Sequence, residues 1–195
     1  MPSTNVPTSG SHDLFHLPSE RLASAFLALR PAPSDRGRLF LIVRRCTDGS
    51  RETPDRVQFT VEEGLSDDSW NRRLPRNSEM QLAVMRRDVA EMIANGQPLT
   101  TFGDNLFVDM DISAPSLPIG SRVRVGGAIL VVTPQPHNGC SKFKTRFGAD
   151  ALQFVNAQPT RHHNLRGIYW KVIEPGEAHV GDNIEVLSKP AATAG

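Results

Sequence analysis

The sequence predicts a mainly β fold with a few helices, in which the strands form a closed or nearly closed barrel. The body of the chain consists largely of short apolar segments of strand length. The 195 residues include 15 glycines and 15 prolines, which favour the tight turns that join short strands. A chain of this length buries about 70% of the surface that its unfolded form exposes, which is enough for one compact domain.

The N-terminal region is predicted to precede the barrel. Residues 1–16 contain few apolar side chains and are predicted to be a disordered tail. Residues 17–34 are predicted to form a helical extension, in which Ser19 caps a helix that ends at Arg30 because Pro31 disfavours a helical predecessor. Three apolar residues of this helix have helical spacing: Leu22, Phe26 and Leu29.

Several strands are predicted after this extension. Residues 39–43 form an unbroken apolar run, which suits a strand buried on both faces, whereas residues 57–61 alternate between apolar and polar as in a half-buried strand. Gly126-Gly127 predicts a tight hairpin, because glycine readily adopts positive φ angles. The hairpin strands and the last two strands are predicted at residues 122–125, 128–132, 168–173 and 183–187.

Two helices are predicted within the same domain. Ser78 and Gln81 form a capping-box pattern, and Gly96 with Pro98 is predicted to end the helix that follows. A shorter helix is predicted near residues 150–156. The first helix would pack an apolar stripe into the core, made of Leu82, Met85, Val89, Met92 and Ile93.

The composition excludes several classes of protein. With 22 basic and 21 acidic residues the formal charge is +1, so we expect neither nucleic acid nor an anionic membrane as a partner. No apolar run approaches the roughly 20 residues that cross a bilayer. The two cysteines do not form a disulfide framework, and an exposed thiol suits a reducing compartment, so we expect a cytoplasmic protein.

Cys140 has the most unusual surroundings in the chain. Residues 138–171 contain a single acid, Asp150, and six cations: Lys142, Lys144, Arg146, Arg161, Arg166 and Lys171. Positive charge stabilises a thiolate, the form of cysteine that attacks electrophiles and binds soft metals. Free cysteines are usually buried apolar fillers, but the polar neighbours of Cys140 argue against that role. Cys46 follows an apolar strand, and we assign it no role.

Several short motifs accompany Cys140 in a characteristic order. In order they are residues 63–68 (Glu-Gly-Leu-Ser-Asp-Asp), 102–106 (Phe-Gly-Asp-Asn-Leu), 117–120 with 125–126, 139–143 (Gly-Cys-Ser-Lys-Phe), 146–148, 165–169 (Leu-Arg-Gly-Ile-Tyr) and 180–184. This order resembles the MOSC domain family, the module named for the C-terminal part of molybdenum-cofactor sulfurases. The resemblance covers residues 37–187 and implies a MOSC-type β-barrel over 35–190, followed by a tail at 191–195.

Three residues depart from the family's pattern. Asp67 stands where the family usually has glycine, Trp70 where many members have histidine, and Asp104 where glutamate is usual. These differences concern the substrate more than the fold.

The resemblance implies a site that holds a molybdenum–pterin cofactor. In this family the matching cysteine is understood to coordinate molybdenum, so Cys140 is the expected metal ligand and a catalytic residue. Asp104 and Asn105 are the expected polar groups of the substrate pocket, also with catalytic roles. The cofactor, including its phosphate, would be contacted by four residues: His137, Lys142, Arg146 and Arg166. Arginine suits phosphate because its planar fork donates two parallel hydrogen bonds.

Two functions remain open at this point. The resemblance implies an oxidoreductase that reduces small N-hydroxylated substrates, namely hydroxylamines, amidoximes and N-hydroxylated bases. No flavin, haem or nicotinamide motif is visible, so its electrons would come from an external iron–sulfur or flavin reductase, and we expect no pyridoxal phosphate. The alternative is a non-redox module that carries the molybdenum cofactor, or sulfur, on Cys140 as a carrier thiol.

Overall fold

A computed structural model describes residues 15–72 and 74–191 of the chain. Most of the predicted tail 1–16 and of the predicted tail 191–195 lies outside the described residues. The described part contains helices α1 (Ser19–Leu27), α2 (Arg87–Ala94) and α3 (Ser141–Asn156). Its strands are β1 (Arg36–Ile42), β2 (Arg44–Arg45), β3 (Arg51–Glu52), β4 (Arg56–Thr60), β5 (Gly64–Leu65), β6 (Leu82–Arg86), β7 (Leu106–Val108), β8 (Arg122–Val125), β9 (Ala128–Val132), β10 (Ile168–Glu174), β11 (Gly176–His179) and β12 (Asn183–Ser188).

Seven strands form a closed barrel, which confirms the predicted fold class. Their order is β1-β12-β8-β9-β10-β6-β7, and β7 pairs with β1 to complete the circle. Neighbouring strands are antiparallel except for β6 and β7, which are parallel. Inward-facing apolar side chains such as Leu39, Val84, Leu130 and Trp170 fill the interior and are shielded from water.

The hairpin at Gly126-Gly127 is confirmed. It joins β8 to β9, with Val125 opposite Ala128. Gly126 has a φ of +56°, and a Cβ atom there would lie 2.7 Å from the backbone oxygen of Glu177. A side chain at this turn would therefore be strained by the backbone angle and would also clash with the neighbouring strand.

The helix predicted to begin at Ser78 is wrong in its first half. Residues 82–86 form strand β6, and the helix α2 begins only at Arg87. The reason is burial on both faces: Leu82 and Val84 point into the barrel, while Met85 packs under the helices outside it. Periodicity cannot distinguish such a strand from a buried helix.

Three other details differ from the predictions: the burial of one strand and the starts of two helices. In β1 the ring of Phe40 is 37% exposed and lies under the guanidinium of Arg87, so only one face of this strand is fully buried. Ser19 lies inside the first turn of α1 rather than capping it, because Pro18 holds the N-cap position. The helix predicted near 150–156 begins at Ser141, and a kink at Gly148 divides it.

A second apolar core lies outside the barrel wall. Helices α1, α2 and α3 pack there around a group of aromatic rings, in which Phe102 stacks on Phe147 with centroids 4.1 Å apart. Phe143 also contacts both of these rings. This layer fixes the N-terminal end of α3 beside the barrel. Among the described residues, no helix has both the length and the apolar character needed to cross a bilayer.

Candidate functional site

Cys140 occupies the N-cap position of α3 and is exposed to solvent. The backbone N–H groups of Phe143 and Lys142 face the sulfur, although neither makes a capping hydrogen bond with it. The N–H of Phe143 has the largest effect on the thiol and lowers its pKa. The N–H of Lys142 and the charges of Arg166 and Lys142 act in the same direction, while partial burial opposes them. The position therefore favours a thiolate.

The loop before Cys140 is held to the far end of α3. The N–H of Gly139 donates to Asn156 Oδ1 at 2.9 Å, and Asn156 Nδ2 donates to the carbonyl of Gly139 at 3.2 Å. This pair of hydrogen bonds fixes the approach of the chain to the helix. The contact could not be predicted, because 17 residues separate Gly139 from Asn156.

Asp104 and Arg166 form a buried ion pair behind Cys140. Asp104 precedes β7 and is completely shielded from solvent, and Arg166 precedes β10. Arg166 Nη1 donates to both carboxylate oxygens of Asp104, at 2.8 and 2.9 Å. The guanidinium also lies over the ring of Phe143, 5.2 Å from its centroid. The pair places a fixed positive group near the thiol.

His137 completes this group and is neutral. Its ring is nearly buried, packs on Tyr169 with centroids 4.3 Å apart, and places Nδ1 3.7 Å from Asp104. Burial, with repulsion by Arg166, lowers the pKa of His137 to about 3. Among the described residues, neither His137 Nδ1 nor Arg166 Nε has a hydrogen-bond partner. Such buried polar atoms without partners are typical of a site that receives a polar ligand.

A second buried network lies beside the first one. Arg45 donates from its backbone N–H, Nε and Nη2 to Asp68, with Nη2 at 2.6 Å from Oδ2, and its Nη1 donates to the carbonyl of Gly103. Burial would raise the pKa of Asp68, but the hydrogen bonds and charge of Arg45, with the N–H of Trp70, hold it below its ordinary value. Asp68 therefore stays ionised and binds Arg45 in one orientation.

The side chain of Asn105 is fully engaged inside the protein. Its Nδ2 donates to Val43 and Asp68, and its Oδ1 accepts from the N–H of Ala83. These contacts connect the ends of β1 and β6 to the start of β7. They favour a structural role for Asn105, and its predicted role at the substrate stays a prediction.

A cavity of about 310 Å³ borders the Arg45 network, with Arg45 and Gly103 in its lining. We call it the Trp70 pocket. Five apolar or aromatic side chains line it: Trp70, Pro75, Met80, Ala83 and Tyr169. Four further residues complete the lining: Arg45, Arg76, Asn77 and Gly103.

Tyr169 lies between the Trp70 pocket and the Cys140 group. It lines the pocket while its ring packs on His137. Burial raises the pKa of Tyr169, and the charges of Asp104 and Cys140 raise it further. The hydroxyl of Tyr169 therefore remains protonated.

The other two cations that were predicted to contact the cofactor, Lys142 and Arg146, lie at the rim of the Cys140 group. Lys142 is exposed on the first turn of α3. Arg146 lies one turn further, and its Nη1 is 3.9 Å from the position that a Cβ on Gly103 would take. In the described part of the chain neither side chain is held in an ion pair, so both can contact an anion beside Cys140.

The structure thus brings Asp104 and Arg166, which are distant in sequence, together with the neighbouring residues His137 and Cys140. Lys142 and Arg146 lie at the edge of this group, and Asn105 lies behind it. Four residues at or behind the pocket were not predicted to have a role from the sequence: Arg45, Asn77 and Tyr169, which line it, and Asp68, which binds Arg45. Arg45 resembled an ordinary strand-end cation, and only its place in an Arg-Arg pair next to an apolar strand signalled more.

The comparisons with known proteins agree with the barrel. A family model described as the MOSC domain matches residues 55–185. The YuaD protein from Bacillus subtilis is 18% identical, with 80% of this chain and 97% of that chain covered and a TM-score of 0.60. YiiM from Escherichia coli is 21% identical, with 78% and 71% covered and a TM-score of 0.55. YiiM from Geobacillus stearothermophilus is 15% identical, with 80% and 77% covered and a TM-score of 0.51. No curated protein matches the chain significantly.

Proposed function

Because the chain belongs to the MOSC domain family, a molybdenum-cofactor-related module, we propose that it binds a molybdenum–pterin cofactor through Cys140 and reduces small N-hydroxylated compounds. The observation that carries this proposal is the exposed thiol at the N-terminus of α3, whose pKa is lowered by the N–H of Phe143 and by Arg166. A thiolate is a suitable ligand for a soft metal.

The surrounding residues fit the rest of such a cofactor. Its phosphate needs fixed cations, and Lys142 and Arg146 lie at the rim without ion-pair partners in the described chain. Arg166 is already paired with Asp104, but its buried Nε has no partner there and can donate to the cofactor. His137 Nδ1 is a second such atom. The donor set therefore combines one soft ligand with cations and buried polar groups.

The residues of this chain have separate tasks in the proposed reaction. A bound molybdenum cofactor supplies two-electron chemistry at its metal, and the protein positions the reactants. Tyr169 Oη holds a proton, because burial keeps its pKa high. Asp104 fixes Arg166 and is too deeply buried to touch a substrate, so it is a positioning residue.

The overall reaction requires an external reductant. An N-hydroxylated amine takes up two electrons and two protons, the N–O bond breaks, and the products are the amine and water. We propose an iron–sulfur or flavin reductase as the electron source.

The exposure of Cys140 also favours a second candidate function. A thiol that another protein can reach suits a carrier that transfers the cofactor, or sulfur, to an acceptor. Such a carrier would not require the Trp70 pocket.

The experiment compares molybdenum content after expression in a host that makes the cofactor. We expect wild type and Cys46→Ser to retain molybdenum and Cys140→Ser to lose it, because serine lacks the soft ligand. Equal content in Cys140→Ser would contradict the proposed ligand.

Turnover with a chemical reductant separates the enzyme from the carrier. Loaded wild type supplied with reduced viologen should convert benzamidoxime to benzamidine, and Cys140→Ser should not. Loaded protein that leaves hydroxylamines, amidoximes and N-hydroxylated purines unchanged, yet releases its cofactor to an acceptor apoenzyme, would support the carrier function.

A further inference from the structure

The walls of the Trp70 pocket suit a flat ring. The indole of Trp70 and the phenol of Tyr169 both line the cavity, and Pro75 and Ala83 add rigid apolar surface. Met80 is partly exposed at the mouth, and its flexible side chain can adapt to a bound ring. The volume of about 310 Å³ is at the lower end of the range for small-molecule sites. The pocket therefore fits one small aromatic compound.

The charged groups of the pocket are cations. Among the described residues that line it, two are arginines and none carries a carboxylate. Arg45 is oriented by the buried carboxylate of Asp68, which neutralises most of its charge. Arg76 is held against the wall by Trp70, with its guanidinium carbon 5.9 Å from the ring centroid. Arg146 Nη1 adds a third cation at the Gly103 edge.

The pocket is connected to the Cys140 group through two of its lining residues, Gly103 and Tyr169. Gly103 lines the cavity and is followed by Asp104, which binds Arg166. Tyr169 forms one wall and packs on His137 behind it. A ring seated between Trp70 and Tyr169 would thus lie across Tyr169 from His137, with Arg76 also in the lining of the cavity.

We propose that the Trp70 pocket selects aromatic N-hydroxylated substrates that carry a carboxylate or a similar planar anion, with Arg76 as the residue that determines this specificity. The reaction rests on the proposed function, but the binding preference does not. A guanidinium favours a planar carboxylate because its fork can donate two hydrogen bonds. No carboxylate is among the described residues that line the cavity, so a cationic substrate finds no ion-pair partner there.

Tryptophan fluorescence of the full-length protein tests the preference without turnover. The chain has two tryptophans, and Trp170 is completely buried, so an aromatic ligand in the pocket should quench Trp70. The probes are 4-carboxybenzamidoxime, neutral benzamidoxime and cationic 4-aminomethylbenzamidoxime. We expect the carboxylate to bind about two- to fivefold more tightly than the neutral probe, the range for an ion pair with an exposed guanidinium.

Variants identify the responsible residues. Arg76→Gln should weaken only the carboxylate probe and bring its affinity to that of benzamidoxime. The matched control is Arg72→Gln, because Arg72 is exposed in the same segment but does not line the pocket. Trp70→Phe should keep the order of affinities when binding is followed by calorimetry, and Trp70→Ala should weaken both probes.

Two results would overturn the proposal. One is equal binding of the carboxylate and neutral probes to wild type, and the other is an unchanged preference in Arg76→Gln. These failures differ from a failure of the proposed function, in which the carboxylate is preferred but molybdenum-loaded protein with reduced viologen leaves it unreduced. The preference for the carboxylate would then stand for a ligand of another reaction.

Discussion

The ion pair of Asp104 and Arg166 affects both the stability of the fold and the chemistry of the site. Their charges compensate each other where neither can be hydrated, and Arg166 in turn favours the thiolate of Cys140. Removing one partner of such a pair leaves an isolated buried charge, which is far more costly than losing an exposed pair. The neutral ring of His137 cannot compensate the charge of either partner.

We therefore predict that Asp104→Asn lowers the free energy of unfolding by about 3–5 kcal/mol. Denaturant unfolding measures this loss. The control is Glu52→Gln, which also removes a carboxylate bound to an arginine, Arg44, but at an exposed position where such pairs contribute about 0–1 kcal/mol. Asp104→Glu should recover part of the loss. If Asp104→Asn is no more destabilising than Glu52→Gln, the ion pair does not stabilise the fold.

The sequence predicted the surroundings of some site residues much better than those of others. The exposure of Cys140 and its cationic surroundings were predictable because the neighbouring cations are local in sequence. The pairing of Asp104 with Arg166 was not, because 62 residues separate them and only the barrel brings their strands together. Arg45 is a similar case, since its partner Asp68 lies 23 residues away on another element.

The kinked helix α3 is the element on which the site depends. Gly148 interrupts it with a φ of +93° and a ψ of 167°, a conformation essentially restricted to glycine. The N-terminal segment packs on this kink: His16 Nε2 lies 3.2 Å from the carbonyl of Arg146, and the N–H of Ser19 donates to Asp150. The segment thereby fixes the half of the helix that carries Cys140.

Gly148→Ala is predicted to destabilise the protein by more than Gly181→Ala. Gly181 has the same φ of +93° but open space around it, whereas a Cβ on Gly148 would lie 3.1 Å from the ring of His16. The backbone conformation alone costs a non-glycine residue about 1–3 kcal/mol, and the contact adds to it. Urea unfolding measures both variants.

A double variant tests the contact with His16. His16→Ala in the Gly148→Ala background should recover the steric part of the loss, because it removes the crowded ring. Equal losses in the two glycine variants, or no recovery in the double variant, would show that the N-terminal segment does not constrain the kink.

The architecture of the whole molecule was more predictable than its details. The Gly126-Gly127 hairpin and the apolar runs of β9 and β10 follow from local patterns, and a barrel satisfies all their edges. The strand β6 was missed because both its faces are buried, one by the barrel interior and one by the helical layer. Sequence periodicity reports one buried face and carries no signal when there are two.

Deleting residues 183–195 is predicted to abolish the closed barrel. The deletion removes β12, the neighbour of both β1 and β8, and with it the completely buried Ile184. We expect loss of cooperative urea unfolding and binding of a hydrophobic dye such as ANS. Deleting only 191–195 is the control and should leave both properties unchanged. A truncated chain that unfolds cooperatively at the wild-type midpoint would contradict this prediction.

The pairing of β1 with β12 also sets the order of events on the ribosome. Arg38 lies opposite Asn183, so 145 residues must be added after Arg38 before its partner has been synthesised. At roughly 5–20 residues per second this takes about 7–29 s. During that interval Arg36, Gly37 and Arg38 of β1 have no strand opposite them, and this edge of the barrel stays open. The nascent chain before its last strand emerges is therefore the form of this protein that most needs a chaperone.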